Sequence, residues 1–229
     1  MLAIIGGSGL ERLSALESVR QVTVTTPYGE PSTPLVFGRL SNRDVVFLAR
    51  HGENHRLPPH KINYRANIWA LREQRVKNII AVATVGGIGS GFDAGTLALP
   101  EQIIDYTWGR TSTYFDGDDG EVKHIDFTRP YCESLRTRLA RAAQRADVAV
   151  HAGGTYAATQ GPRLESAAEI TRLARDGADM VGMTGMPEAA LARELDLCYA
   201  TLAVVVNAAA YTAVDAAEVA IPAGYKEKK

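Results

Sequence analysis

Short apolar runs that end in glycine or polar residues recur along the chain, and they constrain the fold more than any other feature. The clearest is residues 78–83, Asn-Ile-Ile-Ala-Val-Ala, which is continuously apolar after its first residue and rich in β-branched side chains. A run of this length between turn residues is typical of a strand buried on both faces of a sheet. Similar strand candidates occupy residues 2–5, 44–48, 96–99, 102–105, 148–151, 155–158, 180–184 and 199–207.

Segments with helical periodicity lie between several of these runs, at residues 63–74, 131–146, 166–175 and 187–195. A further helical segment is expected after the glycine turn at residues 6–10, and residues 23–39 read as extended. Residues 35–39 and 44–48 flank a turn and predict a hairpin. The alternation predicts an α/β fold with a mixed or mostly parallel central sheet flanked by helices. We expect one domain over residues 1–229.

Composition excludes several classes of function. The 229 residues carry 25 Lys and Arg against 26 Asp and Glu, so no overall field attracts nucleic acid. No apolar run is long enough to span a membrane, and no secretion signal opens the chain, so we expect a cytoplasmic protein. Cys132 and Cys198 show no metal-ligand spacing and predict two reduced thiols. No metal or organic cofactor is expected.

A dense group of cations follows the strand at residues 44–48. It contains Arg50, His51, Arg56, Lys61 and Arg65, and the loop is stiffened by Gly52 and two prolines. A solvated charged face is the ordinary interpretation of such a run. Because arginine binds phosphate or carboxylate oxygens in a bidentate manner and the cations follow an apolar strand directly, an anion site is favoured.

Two glycine-rich turns also follow strands. The first, residues 6–10, lacks the third small residue of the dinucleotide fingerprint, since that position is Arg12, and it lacks the lysine of a P-loop. An NAD-dependent oxidoreductase is therefore the least favoured function. The backbone N–H groups of this turn and the Ser8 hydroxyl remain suited to an anion. The second turn follows Thr84.

Polar residues are concentrated at predicted strand ends, where ligands bind in open α/β sheets. They are Ser8, Arg50 with His51, Thr84, Glu165, Met183 with Thr184, and Asn207. Each alone could be a turn residue, but their convergence predicts a ligand site. It would contain donors for an oxyanion, groups that hydrogen-bond to the edge of a heterocycle, and an apolar surface made by Met183 and Tyr64. No Ser-His-acid order, cysteine nucleophile or metal motif is evident. This combination suggests a bound phosphate that acts as the nucleophile.

Several ordered sequence blocks resemble the trimeric purine nucleoside phosphorylases, in the branch that contains methylthioadenosine phosphorylase. They are Ile-Ile-Gly-Gly-Ser-Gly-Leu at 4–10, Thr-Pro-Tyr-Gly at 26–29, Ala-Arg-His-Gly at 49–52, 58–67, 104–107, 124–127, Thr-Gln-Gly-Pro-Arg-Leu-Glu at 159–165, and 182–188. The resemblance runs from residue 2 to about residue 209. It implies a nucleoside phosphorylase fold, a homotrimer, and reversible phosphorolysis of a purine nucleoside with inorganic phosphate as co-substrate.

The resemblance also implies residue roles. Ser8, Arg50, His51, Thr84 and Thr184 would bind phosphate. Substrate contacts would come from Met183, Tyr64, Leu164, Glu165 and Asn207, and from His124 reaching a neighbouring subunit's 5′ side. Asn207, Glu165 and His51 are the catalytic candidates.

Base preference depends on Asn207. Adenine-specific relatives carry Asp at this position and two residues later, where this chain has Asn207 and Ala209. An amide can donate to a 6-oxo group, and Glu165 can accept the N1–H that a 6-oxopurine carries and adenine lacks. We therefore expect a 6-oxopurine nucleoside, S-methyl-5′-thioinosine above all. Inosine, guanosine or methylthioadenosine as substrate, and a nucleoside-binding protein without turnover, stay open.

Two departures from the family pattern accompany these matches. Thr84 follows Ala83 where relatives often show the opposite order. From residue 211 the chain is alanine-rich and ends in Lys-Glu-Lys-Lys, where family members continue into a long helix that covers the base and the 5′ group. No 5′-pocket residue can be assigned there.

Overall fold

The structure, a computed structural model, describes residues 1–10, 12–117 and 120–209. The predicted departure beyond residue 210 lies outside these residues. The elements, in chain order, are β1 Leu2–Gly6, β2 Glu17–Val22, β3 Leu35–Leu40, β4 Arg43–Ala49, two 3₁₀ turns Glu53–His55 and Pro59–Lys61, α1 Tyr64–Glu73, β5 Asn78–Gly87, β6 Leu97–Leu99, β7 Gln102–Asp105, α2 Glu133–Arg145, β8 His151–Ala152, β9 Thr155–Ala158, α3 Ala167–Arg175, β10 Met180–Gly182, α4 Glu188–Glu194 and β11 Cys198–Ala208.

The strands form one mixed sheet, as the sequence predicts. Its main path runs β2-β3-β4-β1-β5-β10-β9-β7, and β11 joins β5 to β6, which in turn pairs with β8. β4, β1, β5 and β11 are parallel neighbours, whereas β10 is antiparallel to β5. The predicted hairpin is present as the antiparallel pair β3 and β4.

β5 is the centre of the sheet because its two edges are both occupied. β11 pairs along its whole length, from Cys198 opposite Asn78 to Ala208 opposite Gly87. The other edge is shared: β1 pairs only as far as Ala81, and β10 pairs only with Gly86 and Gly87. The stretch of β5 between Ala81 and Gly86 is therefore left open on that edge, between the end of β1 and the end of β10.

Side chains cap the N-termini of two of the helices. The Asn63 side chain accepts a hydrogen bond from the Ala66 N–H at the start of α1. Ser166 and Glu169 form a reciprocal capping box at the start of α3. Such caps satisfy N–H groups that have no partner within the helix.

Two expectations for secondary structure were wrong, and one strand had not been predicted. The described residues after the first glycine turn form turns instead of a helix, and Gly9 within that turn has a left-handed φ of 77°. Residues 17–22, which carry no apolar run, form β2 at the edge of the sheet. The strand expected at 148–151 is reduced to His151–Ala152.

The cysteines also differ from expectation. Cys132, at the N-cap of α2, and Cys198, at the start of β11, form a disulfide instead of two reduced thiols. Their separation of 66 residues in sequence hides this contact. The Cys132 N–H donates to the Tyr199 carbonyl oxygen at 2.8 Å, so backbone pairing brings the two segments together.

Candidate active site

The open stretch of β5 is where the predicted anion-binding residues meet. The turn with Gly7 and Ser8 follows β1, and Arg50 with His51 follows the parallel neighbour β4. The Arg50 N–H donates to the Gly6 carbonyl oxygen at 3.0 Å, which ties the two strand ends together. Thr84 lies in the open stretch itself, inside β5, since the strand continues to Gly87 instead of ending at Ala83.

Thr184 approaches the same place from the opposite direction. β10 runs antiparallel to β5 with Met180 opposite Gly87 and Val181 opposite Gly86, so its end is directed back toward Thr84. Thr184 is buried two residues after β10. Ser8, Arg50, Thr84 and Thr184 therefore surround a gap at a switch point of the sheet, a position where α/β proteins bind ligands.

Arg50 is almost completely buried, with 1% of its side chain exposed. Its Nε and Nη2 donate to Oε2 and Oε1 of Glu188 at 2.7 and 2.9 Å, and Nη1 donates to the Val82 carbonyl oxygen at 3.0 Å. A guanidinium has five N–H groups, so two remain for a ligand. A Cβ built on Gly7 would lie 3.1 Å from Nη1, which shows that the glycine turn passes directly over the guanidinium.

Glu188 is the first residue of α4 and is fully buried. It also accepts a hydrogen bond from the Tyr199 hydroxyl at 2.8 Å. Burial alone would lower the pKa of Arg50, but the Glu188 carboxylate raises it above its ordinary value, so the guanidinium stays charged. Nothing in the sequence pattern indicated this partner, because Glu188 lies 138 residues from Arg50 along the chain.

His51 is buried beside Arg50 and is held by one backbone contact. Its Nδ1 lies 2.9 Å from the Leu57 carbonyl oxygen, and its ring stacks on His55 with centroids 4.1 Å apart. Burial, followed by the charge of Arg50, lowers its pKa from 6.5 to about 4. A carbonyl can only accept, so Nδ1 carries the proton of the neutral ring and Nε2 is left as an acceptor.

The remaining cations of this loop are not part of the gap. Arg56 and Lys61 are exposed. Arg65 donates to Asp116 and lies over the Tyr28 ring, so it supports the local structure instead of facing the gap. The cluster is thus neither a uniformly solvated face nor a single anion site.

The candidate base and ribose residues Glu165 and Met183 lie on the segments that follow β9 and β10. Glu165 accepts a hydrogen bond from Thr159 Oγ1 at 2.6 Å and lines a cavity of about 270 Å³ with Tyr106, Trp108 and Gln160. Met183 is half-buried, and a Cβ on Gly161 would lie 2.4 Å from its Sδ. Tyr64 opens α1 and donates to the Pro59 carbonyl oxygen at 2.9 Å, and burial raises its pKa.

Asn207 lies near the end of β11, directly opposite Gly86 of β5. A register shift between Val205 and Asn207 precedes it, and its Nδ2 donates to the Ala208 carbonyl oxygen at 2.6 Å. Ala209 is buried, and a Cβ added to Gly86 would lie 3.2 Å from the Ala209 Cβ. Asn207 therefore lies at the end of the open stretch of β5, on the edge that β11 occupies and across the strand from the gap.

Two predicted residues are not brought to the gap. Leu164 is 59% exposed beside Glu165. His124 is exposed on a segment whose neighbour Lys123 donates to the Glu194 carbonyl oxygen, at the far end of α4 from Glu188. Sequence reasoning missed Arg110, whose guanidinium contacts the loops that carry Glu165 and Met183.

Within the described residues, no cluster of three or more His, Cys, Asp or Glu side chains is arranged to hold a metal ion. The same part of the chain contains no helix with the length and apolar character needed to cross a membrane.

Comparison with known proteins decides the family. The profile of the phosphorylase superfamily matches residues 1–222. The chain belongs to the phosphorylase superfamily. A relative from Xanthomonas campestris pv. campestris, described as a probable S-methyl-5′-thioinosine phosphorylase, is 55% identical over 91% of this chain and 84% of its own length.

Two further members of the superfamily support this placement. The 6-oxopurine nucleoside phosphorylase of Pyrococcus furiosus is 49% identical over 91% of this chain and 80% of its own. A crystal structure of a methylthioadenosine phosphorylase from an antarctic soil metagenomic library superposes with a TM-score of 0.88 at 42% identity, covering 95% of this chain and 76% of that chain. The chain shares the α/β phosphorylase fold with these proteins.

Proposed function

We propose that the protein catalyses the phosphorolysis of S-methyl-5′-thioinosine to hypoxanthine and 5-methylthioribose 1-phosphate. Inorganic phosphate is the second substrate, and no cofactor is needed. The bond between C1′ and the purine nitrogen breaks, and a bond between C1′ and a phosphate oxygen forms. This is pentosyl transfer to phosphate, a step of purine salvage.

The phosphate half of this proposal is supported by the gap in β5. Ser8, Arg50, Thr84 and Thr184 are donors suited to an oxyanion, and Arg50 is held charged by Glu188. The neutral His51 offers Nε2 as an acceptor for the P–OH of hydrogen phosphate. The attacking anion is positioned against a sugar that becomes cationic in the transition state, so positioning and electrostatics supply the rate.

The base preference is carried by one observation, the amide of Asn207 on β11, which lies opposite Gly86 at the end of the open stretch of β5. A carboxyl group at this position can protonate N7 and accept from a 6-amino group. Asn207 can donate to N7 or to a 6-oxo group, and Glu165 can accept the N1–H of hypoxanthine. Sites whose buried polar groups match one edge of a ligand reject the other edge strongly.

Met183, Tyr64 and Leu164 complete the proposed nucleoside site on the ribose and base side. His124 is proposed to reach the 5′ side of the substrate of a neighbouring subunit in a homotrimer, which accounts for its exposure away from the gap. A cytoplasmic location, and the absence of nucleic-acid or membrane partners, stay predictions from composition.

A methylthioadenosine phosphorylase is the second candidate, because a solved structure of that description shares 42% identity with this chain. Inosine or guanosine as substrate is the related alternative, favoured by the relative from Pyrococcus furiosus. A binding protein without turnover is a third reading.

The Asn207→Asp variant tests the base assignment. We expect the ratio of kcat/KM for methylthioinosine to kcat/KM for methylthioadenosine to fall, by about 10-fold or more. The Asn78→Asp variant, at the other end of β5, is the control and should leave the ratio unchanged. An unchanged ratio in Asn207→Asp would contradict the role of Asn207.

A further inference from the structure

Arg110 makes an unusual number of contacts for a half-buried arginine. Its Nε donates to Gln160 Oε1 at 3.0 Å, and Nη2 donates to the carbonyl oxygens of Thr159 and Gln160 at 3.2 and 2.8 Å. Its Nη1 donates to the carbonyl oxygens of Met183 and Met186 at 2.9 and 2.6 Å and to the Tyr64 hydroxyl at 3.3 Å. Six acceptors share five N–H groups, so all of its donors are used.

These contacts join three segments that carry candidate nucleoside-binding residues. Thr159 holds Glu165 through its hydroxyl at 2.6 Å, so the carbonyl contacts at Thr159 and Gln160 fix the base of that loop. The contacts at Met183 and Met186 bracket the turn after β10. The third segment is the start of α1, where Arg110 contacts the Tyr64 hydroxyl. The Tyr64 ring centroid also lies 5.5 Å from the guanidinium carbon.

All six acceptors are neutral oxygens; five lie on the turns that follow β9 and β10, and the sixth is the Tyr64 hydroxyl at the start of α1. Hydrogen bonds with a charged donor are stronger than neutral ones, and a planar guanidinium fixes the directions of several at once. A lysine has a single nitrogen at the end of a flexible stem, so it can satisfy one segment but cannot fix the relative positions of all three.

We propose that Arg110 is a positioning residue that fixes the nucleoside-binding half of the active site. It acts through Glu165, Met183 and Tyr64 and does not itself touch the reacting atoms. The inference rests on the proposed phosphorylase function. Ser8, Arg50 and His51 receive no hydrogen bond from Arg110 in the described part of the chain, so these three phosphate candidates are held independently of it, whereas Thr184 lies in the turn between Met183 and Met186.

The test compares Arg110→Lys and Arg110→Ala with the wild-type enzyme and with Arg138→Ala. Arg138 lies on α2 and makes one exposed hydrogen bond, to Asn78, which makes it a matched control. kcat and the KM values for methylthioinosine and for phosphate are measured separately, and the folded fraction is measured by circular dichroism. Arg110→Ala is also assayed with added guanidinium ion at millimolar concentration.

We expect Arg110→Ala to lose about 100-fold in kcat/KM for the nucleoside, since misplacement of substrate-binding groups by about 1 Å has an effect of this size. The KM for phosphate should rise less than the KM for the nucleoside, because Ser8, Arg50 and His51 are not altered and Thr184 is the phosphate candidate in the affected turn. Arg110→Lys should recover part of kcat, and guanidinium ion should partly restore Arg110→Ala. Arg138→Ala should behave as wild type.

A purely structural role predicts a different pattern, in which kcat falls in proportion to the folded fraction and neither KM changes. That result, or wild-type nucleoside kinetics in both Arg110 variants, would overturn the proposal. If Arg110→Ala does not fold, Arg110→Lys decides by the same two KM values. Failure of the proposed function is distinguishable, because the wild-type enzyme would then show no phosphate-dependent cleavage.

Discussion

The guanidinium of Arg50 is held by both carboxylate oxygens of Glu188, with Nε–Oε2 and Nη2–Oε1 distances of 2.7 and 2.9 Å. Both side chains are buried, with 1% and 0% exposed. The pair connects the end of β4 to the start of α4 and leaves two N–H groups of Arg50 for an anion. A charge that belongs to the proposed phosphate site is therefore also part of the core.

Replacement of Glu188 by Gln should destabilise the protein by about 3–5 kcal/mol, because it leaves the Arg50 charge buried without its counter-ion. Urea unfolding at pH 7 measures the loss. Glu73→Gln removes one member of the exposed pair with Arg72 and should cost less than about 1 kcal/mol. Equal losses of unfolding free energy in the two variants would show that the buried pair stabilises the protein no more than the exposed pair does.

Stability should also depend on His51 below neutral pH. Its pKa is lowered from 6.5 to about 4 in the folded protein, so the unfolded chain binds the proton first as the pH falls. The contribution of neutral His51 to the free energy of unfolding is fully present above pH 6.5 and is lost as the pH falls from 6.5 to about 4. Its size is about 1.4 kcal/mol for each unit of difference between the folded and unfolded pKa. Arg50 and His55 face the ring, and both disfavour its protonation.

Urea unfolding of wild type and His51→Gln at several pH values between 4 and 7 measures this effect. The variant should show a shallower loss of stability in that range, whereas His151→Gln, at an exposed histidine, should follow the wild type. Parallel curves for wild type and His51→Gln would mean that His51 is not held neutral.

Gly161 is expected to control the position of Met183. A Cβ at residue 161 would lie 2.4 Å from the Met183 Sδ, and the residue has a φ of 62°. Gly161→Ala should therefore lower kcat/KM for the nucleoside by about 10-fold, through displacement of Met183. Gly177→Ala is the control, since its φ is 88° but no atom lies within 4 Å of the added Cβ.

Both glycine variants should lose about 1–2 kcal/mol of stability from the left-handed backbone conformation. The Gly161 prediction fails if the two variants keep the same nucleoside kinetics, because the clash with Met183 is the only difference expected between them.

The link between Cys132 and Cys198 should contribute to stability without affecting catalysis. It closes a loop with a sequence separation of 66 residues, for which the chain-entropy model gives about 4 kcal/mol. Cys198 pairs with Asn78 at the beginning of β5, whereas Asn207 pairs with Gly86 near its end. Cys198→Ser should thus unfold at lower urea concentration and keep wild-type kcat/KM.

Wild-type protein treated with reductant should unfold like Cys198→Ser. If the untreated wild type and the variant unfold at the same urea concentration, the two thiols are not joined in solution or their link adds no stability.

The sequence predicted most of the fold because the central strands carry their own signal. Residues 78–83 are apolar on every position that the sheet buries, and they form the beginning of β5. β2 could not be predicted, since an edge strand with the sequence Glu-Ser-Val-Arg-Gln-Val needs no apolar run. The helix expected after the first glycine turn is absent in the described residues, where turns and irregular backbone follow Gly9, whose left-handed conformation sequence spacing does not reveal.

The site was predictable to the extent that strand ends can be read from sequence. Ser8, Arg50 and Thr84 were expected at one rim and lie around the open edge of β5. The partners of these residues could not be predicted, because Glu188 and Arg110 are brought in by tertiary packing. Arg110 lies in a polar loop whose composition resembles many surface loops, and its tertiary contacts, among them those with Met183 and Thr159, distinguish it.

The most direct measurement is the release of free base from S-methyl-5′-thioinosine and from methylthioadenosine by the purified wild-type protein, with and without phosphate. We predict hypoxanthine release that requires phosphate and yields 5-methylthioribose 1-phosphate, with kcat/KM at least about 10-fold above that for adenine release. Faster release of adenine, or no phosphate-dependent release of either base, would contradict the account.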